Sequence, residues 1–401
     1  MFVEKRTELN SMDKAILVLN AGSSSIKFAL FTCADLKLLY QGKIGSIFDK
    51  PQFIAYSSQQ GQIINELVSF PGYEPCLAHL FDWFSGLPHR FVLSAVGHRV
   101  VHGGNIFQEP CLINEKITAQ IDSLTPLAPL HQPLNVAAIN TVSKLYPTLP
   151  QIACFDTSFH RTQDKLATLF AIPRELTAEG IVRYGFHGIS YEYIASVLPK
   201  NIGSKVIVAH LGNGASLCAM HQGQSMATSM GFTALDGLMM GSRCGTIDPG
   251  VLLYLQQEKM YTVKEVNDLL YYKSGLLGVS GISSDIHDLE LNPDPCAMEA
   301  VDLFSYRVAQ EVGRLLSILQ GCDAIIFTAG IGENSAVVRK KVCGRLHWLG
   351  VRMDEEANLN NKYVISTPNS KVYVGVIPTN EELMIATHAM NCLLRCASGK
   401  K

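Results

Sequence analysis

The sequence predicts an α/β protein of two domains, on three observations. Short β-branched and apolar runs alternate with helical patterns from end to end. The chain has 401 residues, beyond the size at which one hydrophobic core usually keeps growing. One structural phrase also occurs twice: AILVLNAGSSSIKFAL begins at Ala15, and KVIVAHLGNGASLCAM begins at Lys205. Each is an apolar strand, a polar glycine turn and a second apolar strand, which points to duplicated domains facing a shared anionic ligand.

The expected strands follow in order. Ala15–Leu19 and Ser25–Phe31 flank the first polar turn. Ala95–His98 and Gln151–Phe155 are short buried runs, and Lys205–His210 and Ser216–Met220 form the second hairpin. Ala324–Thr328 is a continuous apolar run ending in glycines, and Lys371–Ile377 closes the set. Apolar residues recur at helical spacing over Gln132–Leu145, Val263–Leu270 and Met298–Leu319. The first fifteen or so residues are expected to be a loosely held extension.

Composition excludes several classes. The chain is 47% hydrophobic and 17% charged with a net charge of −2, a compact globular balance without the basic stripe that a nucleic-acid partner needs. Eleven cysteines are scattered without a CxxC pair or metal-type spacing, as buried thiols of a reduced compartment are. The N-terminus MFVEKRTELNSMDK lacks the apolar core of a signal peptide, and no apolar run is long enough to span a bilayer. The expectation is a cytoplasmic protein with no membrane partner.

The polar turns carry the chemistry. A tight turn between antiparallel strands aims backbone N–H groups and short hydroxyls at one point, which suits a phosphate. Asn20, Ser23, Ser25 and Lys27 belong to the first such turn, with Ser25 and Lys27 on one face of the outgoing strand. A third segment, DAIIFTAGIGENS, is a buried strand followed by Gly330-Ile331-Gly332 and a helix start. There the glycines let backbone approach a ligand and the helix terminus favours negative charge. His98 and His102 have the i, i+4 spacing of a helical metal pair but flank Arg99 in an extended run, where two imidazoles do not converge on one zinc ion.

The motifs NAGSSSIK, GHRVVHGG, APLHQPLN, CFDTSFH, RYGFHGIS, HLGNGAS, TSMGFTALDGLMMGSR, FTAGIGENS and PTNEELMIA stand in this order along the chain. On them the sequence resembles the acetate kinase family, which includes propionate and butyrate kinases, within the broader superfamily of sugar kinases, actin and heat-shock chaperone ATPases. The resemblance runs from about Lys14 to Leu394. It implies duplicated ribonuclease-H-like domains with an active-site cleft between them: an N-terminal domain of residues 1–156 plus 384–401 and a nucleotide-binding domain of residues 157–383. It also implies a homodimer, and reversible transfer of the ATP γ-phosphoryl group to acetate, with propionate as the close alternative. A non-catalytic, chaperone-like ATP switch is the alternative from another class; it has no need of arginines and a histidine converging beside an alkyl pocket.

The reaction explains the residues that the resemblance implies. A carboxylate is already ionised at neutral pH, so this nucleophile needs no strong base. The obstacle is the approach of one anion to another, and catalysis reduces to positioning, charge cancellation and exclusion of water. Arg99 and Arg243 match the family's catalytic arginines, and Asp156 its essential aspartate, better suited to orienting an arginine or the magnesium shell than to carrying a proton. His187 matches the histidine that hydrogen-bonds the transferring phosphoryl group, with His131 and His210 near that centre. Val101, Leu130, Phe186 and Ala234 match the small alkyl pocket. Nucleotide contacts map to His210, Leu211, Gly212, Asn213 and Gly214, to Asp285, Ile286 and His287, and to the loop Gly330, Ile331, Gly332, Glu333 and Asn334. Asn20 and Glu381 match the magnesium site, where Mn2+ is a substitute for Mg2+. Hinges are expected near Asp156–Ser158 and Thr379–Leu383.

Five positions depart from the family pattern. Ala234 stands where a pocket-lining proline is usual and predicts a wider pocket that accepts propionate. His287 replaces an arginine near the nucleotide, and Thr246 an aspartate. Ile189 and Tyr191 replace the threonine and histidine of GFHGTSH.

Overall fold

A computed structural model describes residues 13–22, 25–69, 71–87 and 91–398. Ser23 and most of the expected N-terminal extension lie outside them. The chain divides into unit 1 (Met1–Gly103, Glu109–Phe155 and Glu382–Lys401) and unit 2 (Gly104–Gln108 and Asp156–Glu381).

In unit 1 the apolar run of the first motif forms the middle of β1 (Asp13–Ala21), which turns back into β2 (Ser25–Thr32). The meander continues antiparallel through β3 (Leu38–Gly45), β4 (Gln52–Ser57) and β5 (Gly61–Leu67). On the other side of β1, β6 (Phe91–Val100) and β8 (Gln151–Phe155) add in parallel, and β7 (Cys111–Leu112) closes that edge antiparallel. The order is β5-β4-β3-β2-β1-β6-β8-β7. Strand alternation sends Leu17, Leu19, Phe28 and Leu30 to one face, where the helix Tyr73–Ser85 covers them with Cys76, Leu77, Leu80 and Phe81. Gly97 of β6 admits the last helix, Glu381–Ala397: a Cβ there would lie 2.6 Å from Ile385 Cγ2.

Unit 2 repeats the wiring. The second hairpin is β9 (Lys205–Leu211) and β10 (Ala215–His221), antiparallel, extended by β11 (Gln224–Thr228). β12 (Ala324–Thr328) and β13 (Tyr373–Val376) add in parallel on the other side of β9. Its order β11-β10-β9-β12-β13, with the same strand directions, reproduces β3-β2-β1-β6-β8 of unit 1. The fold is therefore α/β and duplicated, of the ribonuclease-H type. Every residue of β9 after Lys205 is buried because helices cover both faces. Tyr191 and Ile194 of the helix Gly188–Val197 pack on Val206 and Val208, and the alternate residues face the long helix Pro295–Leu319.

Most expected elements form, with shifted ends. The helix expected from Met298 begins at Pro295, where Asp294 accepts the Cys296 N–H as an N-cap. The strand expected over Lys371–Ile377 is only Tyr373–Val376. The segment Gly330–Asn334, expected as a loop, is the greater part of a short helix, Ala329–Asn334, entered through Ala329 at φ 64°. All eleven cysteines are free thiols, and burial pushes Cys218, Cys322 and Cys343 up to about 12. No described helix is long and apolar enough to cross a membrane.

Candidate active site

Alternation along β9 places His210 on the same face as Val206 and Val208, and its cross-strand partner on β10 is Ser216. The helix Gly188–Val197 packs on that face, with His187 at its N-cap position in the left-handed region, φ 59° and ψ 22°. A non-glycine residue is held there only when its surroundings demand it. The His187 and His210 rings stack with centroids 4.2 Å apart and planes 21° from parallel. His187 Nδ1 meets Ser216 Oγ at 2.9 Å, and His210 Nδ1 meets Ser190 Oγ at 2.8 Å. Ser190 Oγ also meets Thr379 Oγ1 at 2.8 Å.

The glycine turn closes against these rings. Gly212 N–H donates to Gly214 O at 3.1 Å. A Cβ on Gly214 would lie 3.3 Å from His187 Nε2 and 3.9 Å from Arg243 Nη1, so turn, imidazole and guanidinium border one space. Arg243 is half-buried, and its Nη1 donates to the backbone oxygen of Ala234 at 3.1 Å. Asp156 is buried, and its backbone oxygen accepts the Gly188 N–H at 2.8 Å, a contact so close that a Cβ on Gly188 would sit 2.1 Å from that oxygen. Phe186 is buried beside His187, its carbonyl accepting from His160 Nε2 at 2.9 Å. Unit 2 thus brings His187, His210, Arg243 and the Gly212–Gly214 turn together, with Asp156 and Phe186 packed at the same helix start.

A cavity of about 510 Å3 opens beside this turn. Gly212, Asn213, Asp285, Ile286, His287, Gly330, Ile331 and Asn334 line it, together with Ser284, Glu290 and Ser335, which the sequence does not single out. Asp285 Oδ1 caps its own helix by accepting the His287 N–H at 2.9 Å, and His287 is exposed. Glu333 is turned the other way: its Oε1 accepts the N–H groups of Ala329, at 2.8 Å, and Thr379, at 3.1 Å. Its carboxylate serves backbone, and neither Glu333 nor Gly332 lines the cavity. Behind the turn, Arg339 is fully buried, with Nη1 on the Gly332 carbonyl at 2.9 Å and Nε on Asn358 Oδ1 at 2.8 Å. Burial lowers its pKa to about 10, so it stays charged at neutral pH. In the sequence it sits in VRKK, which looks like a solvated face. A larger cavity, about 760 Å3, is lined by Arg183, Asp236, Thr246 and Arg314 among others and holds none of the expected site residues.

In unit 1 the parallel neighbours β1 and β6 end on the same side of the sheet, which brings Arg99 Nη1 to Asn20 Oδ1 at 3.3 Å. The buried Asn135 fixes that pairing: its Oδ1 accepts the Val101 N–H at 3.0 Å, and its Nδ2 donates to Ala21 O at 3.2 Å. Asn135 ends the motif APLHQPLN, and no reading of spacing exposes the role. Gly22 N–H closes the first turn on Ser25 O at 2.8 Å. Ser25 is half-buried, and Lys27, paired across the strands with Asn20, is exposed. Val101 is buried, Leu130 is 38% exposed, and His131 stands just before the helix Gln132–Leu145. Glu381 is the first residue of the last helix.

The family model for the acetokinase family matches residues 15–387. The chain belongs to the acetokinase family. It is 52% identical over 390 residues to an acetate kinase of Rhodopseudomonas palustris, covering 94% of this chain and 98% of that one. An acetate kinase of Rickettsia akari is 43% identical over 389 residues, covering 95% and 100%. Among solved structures, a propionate kinase from Francisella tularensis superposes with a TM-score of 0.89 at 38% identity, covering 94% and 99%. Porphyromonas gingivalis acetate kinase gives 0.87 at 33% identity, covering 95% and 100%.

Within this acetokinase family member two of the departing side chains, Thr246 and Tyr191, have local partners. Thr246 Oγ1 donates to Asp236 Oδ1 at 2.8 Å while Arg183 pairs with Asp236 Oδ2 at 2.9 Å. An aspartate at 246 would set two carboxylates beside that one arginine. Ile189 is buried next to His187, and Tyr191 is fully buried with its hydroxyl on Ser216.

Proposed function

We propose that the chain transfers the γ-phosphoryl group of ATP reversibly to the carboxylate of acetate, giving acetyl phosphate and ADP. The observation that carries this reading is the convergence of His187, Arg243 and the Gly212–Gly214 turn on one space beside the 510 Å3 cavity. The turn supplies backbone N–H groups and the arginine a fixed positive fork, which suit a transferring phosphoryl group. A carboxylate oxygen bonds to the γ-phosphorus as the bond to the ADP oxygen breaks, and no proton has to move.

The remaining residues take roles that the family resemblance supports. Arg99 holds the substrate carboxylate, with Asn20, Ser25 and Lys27 serving phosphate, His131 near the reacting centre, and Val101, Leu130, Phe186 and Ala234 the alkyl group. Residues 1–156 with 384–401 form the acyl-substrate side and residues 157–383 the nucleotide side. Asn20 and Glu381 are hard oxygen donors, and no described cluster of three or more His, Cys, Asp or Glu could cage an ion alone. That donor set fits a magnesium ion arriving with the nucleotide and keeping water and phosphate oxygens as ligands. When bound, the ion supplies charge neutralisation between the phosphates. The reading includes a homodimer working in the cytoplasm.

The test is hydroxylamine trapping of acyl phosphate with MgATP and acetate, propionate or butyrate. Acyl hydroxamate is expected from the unaltered protein, with Arg99→Ala and Arg243→Ala each lowering the rate by roughly a hundredfold or more. One methylene in an alkyl pocket is worth about 1–3 kcal/mol; with alanine at 234, kcat/KM for propionate is expected within about tenfold of that for acetate. Nucleotide binding without hydroxamate from any acid would sink the reading.

A further inference from the structure

Tyr191 is the departure with the most structure around it. It lies one helical turn after His187, whose backbone oxygen accepts the Tyr191 N–H at 3.0 Å, so the two side chains share a helix face. The phenol is fully buried among Ile194, Val206, Val208 and Cys218. Its hydroxyl meets Ser216 Oγ at 2.6 Å, and Ser216 Oγ meets His187 Nδ1 at 2.9 Å.

The direction of this chain of hydrogen bonds follows from counting protons. Burial raises the Tyr191 pKa well above its ordinary value, so the phenol keeps its proton. A buried O–H needs an acceptor; the His210 backbone N–H can only donate to the phenol oxygen, and Ser216 Oγ is the side-chain partner of that hydroxyl among the described residues. Tyr191 therefore donates to Ser216. The serine has one proton of its own, and the partner left for it is His187 Nδ1. An Nδ1 that accepts leaves the ring proton on Nε2, the atom that faces the Gly212–Gly214 turn. The stack on His210 at 4.2 Å favours the same neutral form, because a second positive ring at that distance is disfavoured.

We propose that Tyr191 is a positioning residue that acts through Ser216 to hold His187 as the neutral Nε2–H tautomer, so that the ring presents a fixed donor to the phosphoryl oxygens. The role in catalysis rests on the phosphoryl-transfer reading; the tautomer does not. Without the phenolic proton, the serine hydroxyl is free to accept from Nδ1 instead, and the donor on Nε2 is lost in that fraction of molecules.

The experiment is 15N NMR of the full chain labelled at histidine, with His187 assigned by its loss in His187→Gln, alongside kinetics. The expected wild-type signals are an unprotonated Nδ1 and a protonated Nε2. In Tyr191→Phe and in Ser216→Ala, Nδ1 gains protonated character and kcat falls roughly tenfold while KM for nucleotide and acid changes little; Ser216→Thr restores both. A protonated Nδ1 in the wild type would overturn the proposal. So would Tyr191→Phe with an unchanged tautomer and kcat, as a purely structural tyrosine predicts. The expected tautomer shifts in a protein that makes no acyl phosphate would leave the relay standing and sink the kinase reading.

Discussion

His98, His102 and His160 are three imidazoles that burial holds near pKa 4 against an ordinary value of 6.5. They are kept neutral, His98 on Gln151 Oε1 at 2.8 Å and His160 between Ser225 Oγ and the Phe186 carbonyl. Because the folded pKa lies below the unfolded one, the stability they contribute is present above pH 6.5 and is lost as pH falls towards 4. Each costs about 1.4 kcal/mol per pH unit within that window. Urea unfolding between pH 7 and pH 4.5 should therefore show a steep acid loss, shallower in His160→Asn; a flat profile would contradict it. At this scale the sequence exposes residues whose type announces a chemistry, such as Arg99, His187 and Arg243. It does not expose Asn135, Arg339 or Ser216, whose roles consist of partners far along the chain, nor the turning of Glu333 onto backbone.

The junction of β6 with the last helix decides much of the packing of unit 1. Gly97 is there because its missing Cβ is the space that Ile385 occupies, with Cγ2 at 2.6 Å from where the methyl would be. Overpacking of this kind costs about 1–3 kcal/mol, so Gly97→Ala should lower the unfolding free energy from urea titration by that amount. In an Ile385→Ala background the same change should cost much less, and purely additive effects would contradict the close approach. Elements with unbroken apolar runs, such as β1, β8, β9 and β12, were legible because burial on both faces leaves no polar alternation to misread. The meander β3 to β5 was not: LLYQGKIG and GQIINEL mix glycine and polar residues on a half-exposed sheet. The Asp294-Pro295 start of the long helix was available as a capping signal and shows that boundaries need cap chemistry as well as periodicity.

At the level of the whole molecule, the hairpin echoed about 190 residues later is the visible end of a larger repeat, five strands with the same order and directions in each unit. The echo is visible in sequence at the two hairpins, whose turns are the segments proposed above to meet phosphate, whereas the remaining strands need only be apolar. Duplication gives each unit one such hairpin, and the units then differ in what surrounds it: arginine and asparagine on β6 and β1, stacked histidines and a cavity in unit 2. The reaction proposed for the chain moves a phosphoryl group between a nucleotide and a carboxylate. The direct measurement is 31P NMR of the protein mixed with ADP, Mg2+ and acetyl phosphate. ATP should appear as acetyl phosphate disappears, and Arg243→Ala should still bind ADP while forming scarcely any ATP. Release of inorganic phosphate alone, or no turnover by protein that binds ADP, would rule that reaction out.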